Sequence, residues 1–179
     1  MLGPTLHGEN LSQQPLPVLL ILDEVQVGIG RTGKLFAYEH EGITPDIMLL
    51  GKCLGGGFPV GALLVTEAVS DTIQKGDHGG TYCGNPLACA AVVAVLTELA
   101  DGSVLANACA MGVLAMQRFE ALETELPGKI VDVRGAGLLV GCELASAELA
   151  AEVVAQCLAA QVLVNVAQGR VLRVFPSLN

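Results

Sequence analysis

Gly51-Lys52-Cys53-Leu54-Gly55-Gly56 sets one ammonium between the apolar run Ile47-Met48-Leu49-Leu50 and a triple glycine that ends at Gly57. That setting suits a nucleophile. Burying an amine disfavours its charged form, and the neutral amine attacks an aldehyde to give a Schiff base. The glycines let the backbone close on a flat ligand. Taken alone, Lys52 could as well end a strand and snorkel its amine to water. Asp23-Glu24-Val25-Gln26 weighs against that. It follows the apolar run Val18 to Leu22, and a carboxylate at the exit of a buried strand points into a crevice.

Those residues need elements to hold them. Three continuous apolar stretches, 17–22, 46–50 and 60–66, read as strands buried on both faces of a largely parallel sheet. Residues 34–41 suit a short helical turn. Asn85-Pro86 combines an N-cap with proline at the first helical position and opens a helix to Ala100. Asp101-Gly102-Ser103 stops it and caps the next helix. There Leu105, Cys109, Val113, Met116, Phe119, Leu122 and Leu126 recur at steps of three and four as a core stripe, which Pro127-Gly128 ends. Beyond Gly128, strands are expected at 130–134, 138–144, 162–166 and 171–175, around a helix at 146–160. The fold class expected is α/β: a mostly parallel sheet with helices over 18–100, then a linking helix and a small α+β domain over 101–179. Residues 1–17, polar and proline-bearing, read as an irregular segment.

Composition narrows the function. The 179 residues carry a net charge of −9, and the nine basic residues are scattered, so no basic patch tracks a phosphate backbone and no nucleic acid is expected as a partner. The longest uncharged stretch, 79–97, opens with turn residues. It leaves about half a bilayer span of apolar sequence, so no membrane partner is expected either. The six cysteines include no C-x-x-C pair and lie mostly among Ala, Leu and Val, as do reduced thiols of a cytoplasmic protein. His7, His40 and His78 are not spaced with them as zinc ligands would be, so no metal is expected.

Three segments carry a family resemblance when taken together. They are Asp23-Glu24-Val25-Gln26 followed by Gly28-Ile29-Gly30-Arg31-Thr32-Gly33; Thr44-Pro45-Asp46 leading to Gly51-Lys52 and Gly55-Gly56-Gly57-Phe58-Pro59; and His78-Gly79-Gly80-Thr81-Tyr82-Cys83-Gly84-Asn85-Pro86-Leu87. Over residues 18 to 179 the chain resembles the class III, pyridoxal-phosphate-dependent aminotransferases of fold type I, most closely the acetylornithine/ornithine branch. The resemblance implies that Lys52 carries the cofactor and then moves a proton. It implies that Asp23 pairs with the pyridine nitrogen and keeps it protonated, that Val25 packs on a ring face, and that Gln26 hydrogen-bonds the ring hydroxyl. Thr81 would reach the cofactor phosphate of a neighbouring subunit, which implies a homodimer with shared sites. The activity implied is transfer of the ω-amino group of free or N-acylated ornithine to 2-oxoglutarate, as in arginine biosynthesis. Ornithine and 4-aminobutyrate aminotransferases are alternatives within the family.

Arg173 matches the arginine that the family places near substrate carboxylates, commonly restrained by a glutamate. A guanidinium suits that task because its planar fork gives a carboxylate two parallel hydrogen bonds. Arg31 and Arg134 read as structural. Gly80 departs from the Ser or Thr common beside the phosphate-binding threonine, which removes one substrate hydrogen bond, and Cys83 stands where glycine is usual. Family members also carry, before the strand ending at Leu22, a stretch about as long as this chain with a glycine-rich phosphate loop, so the chain is expected to be a fragment, incomplete also at its end. Two readings compete from other classes. One is a non-catalytic, associating fragment; the other is a dinucleotide-binding module, suggested by the G-x-G-x-x-G of Gly28 to Gly33.

Overall fold

A computed structural model of the chain describes residues 18–179. The expected irregular segment, residues 1–17, lies outside the described residues. The first sheet has the order β1-β2-β3, from β1 (Ile21–Asp23), β2 (Ile47–Leu50) and β3 (Ala62–Val65). β1 and β2 run parallel, with Leu22 opposite Met48 and Asp23 opposite Leu49. Asp46 sets that register: its Oδ2 accepts the Leu20 amide at 2.8 Å, while its own amide donates to the Leu20 carbonyl at 2.9 Å. β3 is antiparallel to β2, because the loop after Leu50 holds only a 3-10 turn, Lys52–Gly55, and no crossover helix.

The strands were expected to be buried on both faces, and they are not. Ile21 is 56% exposed and Leu63 57%, since among the described residues the remaining elements cover one face of the sheet. That face packs Met48 and Leu50 against Ile29, Leu54 and Leu99 as one core cluster.

Helix α2 (Pro86–Leu99) starts where expected: Asn85 Oδ1 accepts the Ala88 amide at 2.9 Å, with Pro86 at the first turn. A four-residue helix, α1 (Glu67–Ser70), precedes it and had no sequence signal. α3 (Ser103–Glu125) leaves α2 at 67° across Gly102, whose φ of 78° is the left-handed value that glycine tolerates. Among the described residues no single helix is long and apolar enough to cross a membrane. The buried side of α3 differs from the stripe expected. Ala108 and Gly112 are its buried residues, whereas Val113 is exposed and Cys109, also solvent-accessible, turns its thiol to the Gly33 carbonyl. Backbone approach is the reason: a Cβ on Gly112 would collide with the Gly137 carbonyl, so small residues line the seam.

The second sheet is antiparallel with the order β4-β5-β7-β6, from β4 (Ile130–Ala136), β5 (Leu139–Leu144), β6 (Asn165–Ala167) and β7 (Val171–Val174). α4 (Ala147–Ala159) covers one face, where Ile130, Cys142, Leu144, Ala150 and Leu172 form a second core cluster. The strand expected at 162–166 falls instead at 165–167. Helix termination takes its first residues: Val162 donates to Cys157 at 2.8 Å and Gln161, at φ 61°, donates to Leu158 at 2.9 Å. This pair of bonds closes a Schellman cap and occupies the amide a ladder would use.

Candidate active site

The carboxyl ends of the two parallel strands are where an α/β sheet opens a crevice. β1 delivers Asp23-Glu24-Val25-Gln26 there, and β2 delivers Gly51-Lys52 beside them. Lys52 Nζ donates to Gln26 Oε1 at 2.7 Å. Val25 packs on the same turn, since a Cβ added to Gly51 would lie 3.2 Å from Val25 Cγ1. Thus Lys52, Gln26 and Val25 converge. The side chain of Lys52 is exposed rather than buried, so the desolvation expected of it is absent from the described residues. Its turn is held instead by neighbours: Gly51 is buried in front of it, and Leu54, 3% exposed, anchors the core behind it. Lys52 itself has φ 46°, an unusual backbone for a residue with a Cβ.

Asp23 is exposed at the end of β1, and its Oδ1 accepts the Val25 amide at 3.0 Å. It therefore caps its own turn. Asp23 Oδ2 makes no hydrogen bond among the described residues. Thr81 and Gly80 sit in an exposed loop of turns with Cys83 and Tyr82, and no bond links Thr81 to Lys52 among the described residues. A Cβ on Gly80 would come 2.9 Å from Cys83 Sγ, so the two departures in this loop share one space.

Arg173 lies on β7 between Gly141 and Asn165, half-buried, with its Cζ 5.4 Å from the Phe175 ring centroid. No carboxylate pairs with it among the described residues, in contrast to the glutamate expected. Arg134 bonds Asp132 and Glu143, and Glu143 also takes Arg170 at 2.6 Å. The Asp132 carboxylate first, then Glu143, pushes the Arg134 pKa up, and the network braces one face of the second sheet.

Two residues that the sequence did not single out for the site hold it together. Glu24 is 2% exposed, and its oxygens accept the amides of Ala37 at 2.9 Å and Tyr38 at 2.8 Å. That ties the strand exit to the 3-10 turn Ala37–His40. Ile29, fully buried at φ 55°, pins the glycine loop to the core. The same loop gives the dinucleotide reading no support. Only the short turn 37–40 follows it, which offers no helix N-terminus for a pyrophosphate, and Gly33 is filled by the Cys109 sulfur.

The donor set fits the ring end of pyridoxal phosphate: an amine for the aldehyde, a carboxylate for the ring nitrogen and an amide for the ring hydroxyl. A parallel strand pair with a lysine turn at its carboxyl edge suits a fold type I transferase, and the solved aminotransferases on which the chain superposes have that fold. The chain belongs to the class III aminotransferases: residues 13–179 match the family described as Aminotransferase class-III. It is 48% identical over 162 residues to acetylornithine aminotransferase of Caldanaerobacter subterraneus subsp. tengcongensis, covering 90% of this chain and 40% of that protein. It superposes on ornithine aminotransferase from Toxoplasma gondii ME49 with a TM-score of 0.84 and 38% identity, over 90% of this chain and 39% of that one. A second Toxoplasma gondii ornithine aminotransferase structure, crystallised with oxidised glutathione and showing partial occupancy of PLP at its active site, matches with a TM-score of 0.81 and 42% identity, over 90% and 39%. The chain thus spans about two fifths of the length of the relatives it matches.

Proposed function

We propose that this chain carries the lysine-bearing part of a cytoplasmic, PLP-dependent aminotransferase that moves the ω-amino group of ornithine or an N-acylated ornithine to 2-oxoglutarate, in arginine biosynthesis. Residues 18–100 would bind the cofactor and 101–179 would close over the substrate. The observation that carries the proposal is the 2.7 Å bond from Lys52 Nζ to Gln26 Oε1, at the shared carboxyl edge of β1 and β2 with Asp23. When bound, PLP supplies the electron-withdrawing ring that stabilises the carbanion left as the donor carbon loses its proton.

The chain's own groups do the rest. Lys52 offers the exposed amine that would hold the cofactor through its aldehyde carbon and that would take up and return a proton at Nζ. Asp23 keeps one carboxylate oxygen for the ring nitrogen and so holds a proton there. Gln26 orients the ring through its amide, and Val25 gives it an apolar face. Arg173 is suited to take a substrate carboxylate in two parallel bonds. Thr81, in its exposed loop, would serve a second subunit's phosphate in the homodimer that the family resemblance implies. Both acetylornithine and ornithine aminotransferases are among the relatives, so either donor suits the fold.

Titration of the chain with PLP tests the proposal. A visible absorption band should appear and should be lost in Lys52→Ala. A band of equal strength in that variant would sink the assignment. No band in the unaltered 179-residue chain would favour the non-catalytic fragment.

A further inference from the structure

Arg31 is 4% exposed, and no carboxylate lies within ion-pair distance of it among the described residues. Burying a guanidinium unpaired is costly, and a methionine would fill such a space without that cost. What holds the charge is a set of dipoles and one ring. Nη1 donates to the Pro176 carbonyl at 2.6 Å and to the Leu138 carbonyl at 3.2 Å. Nη2 donates to Cys53 Sγ at 3.7 Å, and Cζ sits 3.9 Å from the centroid of the Phe175 ring.

These partners belong to three separate parts of the site. Cys53 follows Lys52 in the lysine turn. Leu138 is the tip of the β4–β5 hairpin, which answers by donating its amide to the Arg31 carbonyl at 3.0 Å. Phe175 and Pro176 form the exit of β7, and Phe175, two residues beyond Arg173, continues the side of the strand that Arg173 occupies. The Arg173 guanidinium lies near that same ring, at 5.4 Å. A ring face attracts a guanidinium, and a ring fixed by one cation presents a fixed face to the next.

We infer that Arg31 is a positioning residue that sets the Arg173 guanidinium against the Lys52 turn through the Phe175 ring. The inference rests on Arg173 as the carboxylate-binding group of the proposed function. It gives the buried cation a task beyond tying the lysine turn to the hairpin tip and the exit of β7. Lysine cannot replace it, because an ammonium cannot bond two carbonyls and a thiol while lying flat on a ring.

Calorimetric titration of the 179-residue chain with glutarate, a dicarboxylate with no carbonyl to react, separates the possibilities. Arg173→Gln should abolish binding. Phe175→Leu and Arg31→Lys should each weaken it about tenfold, while Phe175→Tyr, which keeps the ring, should bind as the unaltered chain does. Melting temperatures read beside the titrations report any structural loss. Wild-type affinity in Phe175→Leu and Arg31→Lys, with binding lost in Arg173→Gln, would overturn the positioning role alone. Failure of the unaltered chain to bind, or binding unaffected by Arg173→Gln, would overturn the carboxylate role of Arg173 and this inference with it. Should Arg31→Lys fail to fold, Phe175→Leu against Phe175→Tyr decides.

Discussion

Lys52 holds a left-handed backbone, φ 46°, that disfavours a residue with a Cβ by roughly 1–2 kcal/mol. Glycine removes that cost but adds freedom to the unfolded chain, so Lys52→Gly should stabilise the chain by about 0.5–1 kcal/mol while removing the amine. Urea denaturation of Lys52→Gly beside Lys52→Ala checks this, and equal midpoints would show that the backbone is unstrained. A residue that is kept at a cost to stability marks function. Asp23→Ala should lose the turn bond to Val25, worth about 1 kcal/mol, yet weaken PLP binding by the chain more than that loss explains. PLP affinity unchanged in Asp23→Ala would contradict its role at the ring nitrogen. At this scale the meeting of Lys52, Val25 and Gln26 was legible, because they lie in short motifs at the ends of paired strands, while their roles were implied by the family resemblance. Glu24 and Arg31 were not, since their meaning lies in bonds to Ala37, Tyr38, Leu138 and Pro176, far along the chain.

Among the elements, the α2 cap was readable and packing faces were not. Asn85-Pro86 caps α2 through a local bond, which a sequence exposes, whereas α3 starts at Gly102 with no side-chain cap and Ser146, expected within α4, caps it instead. The seam of α3 is set by contact with a hairpin tip, which no periodicity within α3 contains. Gly112→Ala should therefore destabilise the chain by about 1–3 kcal/mol, as overpacking does. Gly42→Ala, at φ 65° with open space around it, should cost only the backbone term of roughly 1–2 kcal/mol and leave the α3 seam intact. Thermal melts of both, with amide exchange at Leu138 reporting the seam, distinguish them. Protection of Leu138 unchanged in Gly112→Ala would count against the close approach. On β5, burial first, then the charges of Glu123 and Asp132, pushes the Cys142 thiol up to about 11 from an ordinary 9.0. Because the folded value is the higher one, its contribution to stability is complete below pH 9.0 and is lost as pH rises toward about 11. At pH 8 an aromatic disulfide reagent should label exposed Cys83 and Cys89 and spare Cys142 until the chain unfolds.

For the molecule as a whole, two core clusters meet through α3 and Arg31, and large apolar areas stay uncovered among the described residues. Leu63, Leu87 and Val93 are each more than half exposed, and such apolar surface favours association where it is contiguous. Sedimentation of the 179-residue chain should show association that grows with concentration, and a lone monomer at high concentration would contradict it. A cavity of about 370 Å³ between α3, α4 and the second sheet is lined by Leu122, Leu149, Val153, Leu172 and Arg173, and by no residue of the Lys52 turn. The central claim is therefore local: the aldehyde anchor is Lys52 and no other lysine. Borohydride reduction of the PLP-treated chain, followed by peptide mass mapping, tests it most directly. The pyridoxyl mass should appear on the peptide containing Lys52 and vanish in Lys52→Ala. Labelling at Lys34, Lys75 or Lys129, with Lys52 unmodified, would contradict the account.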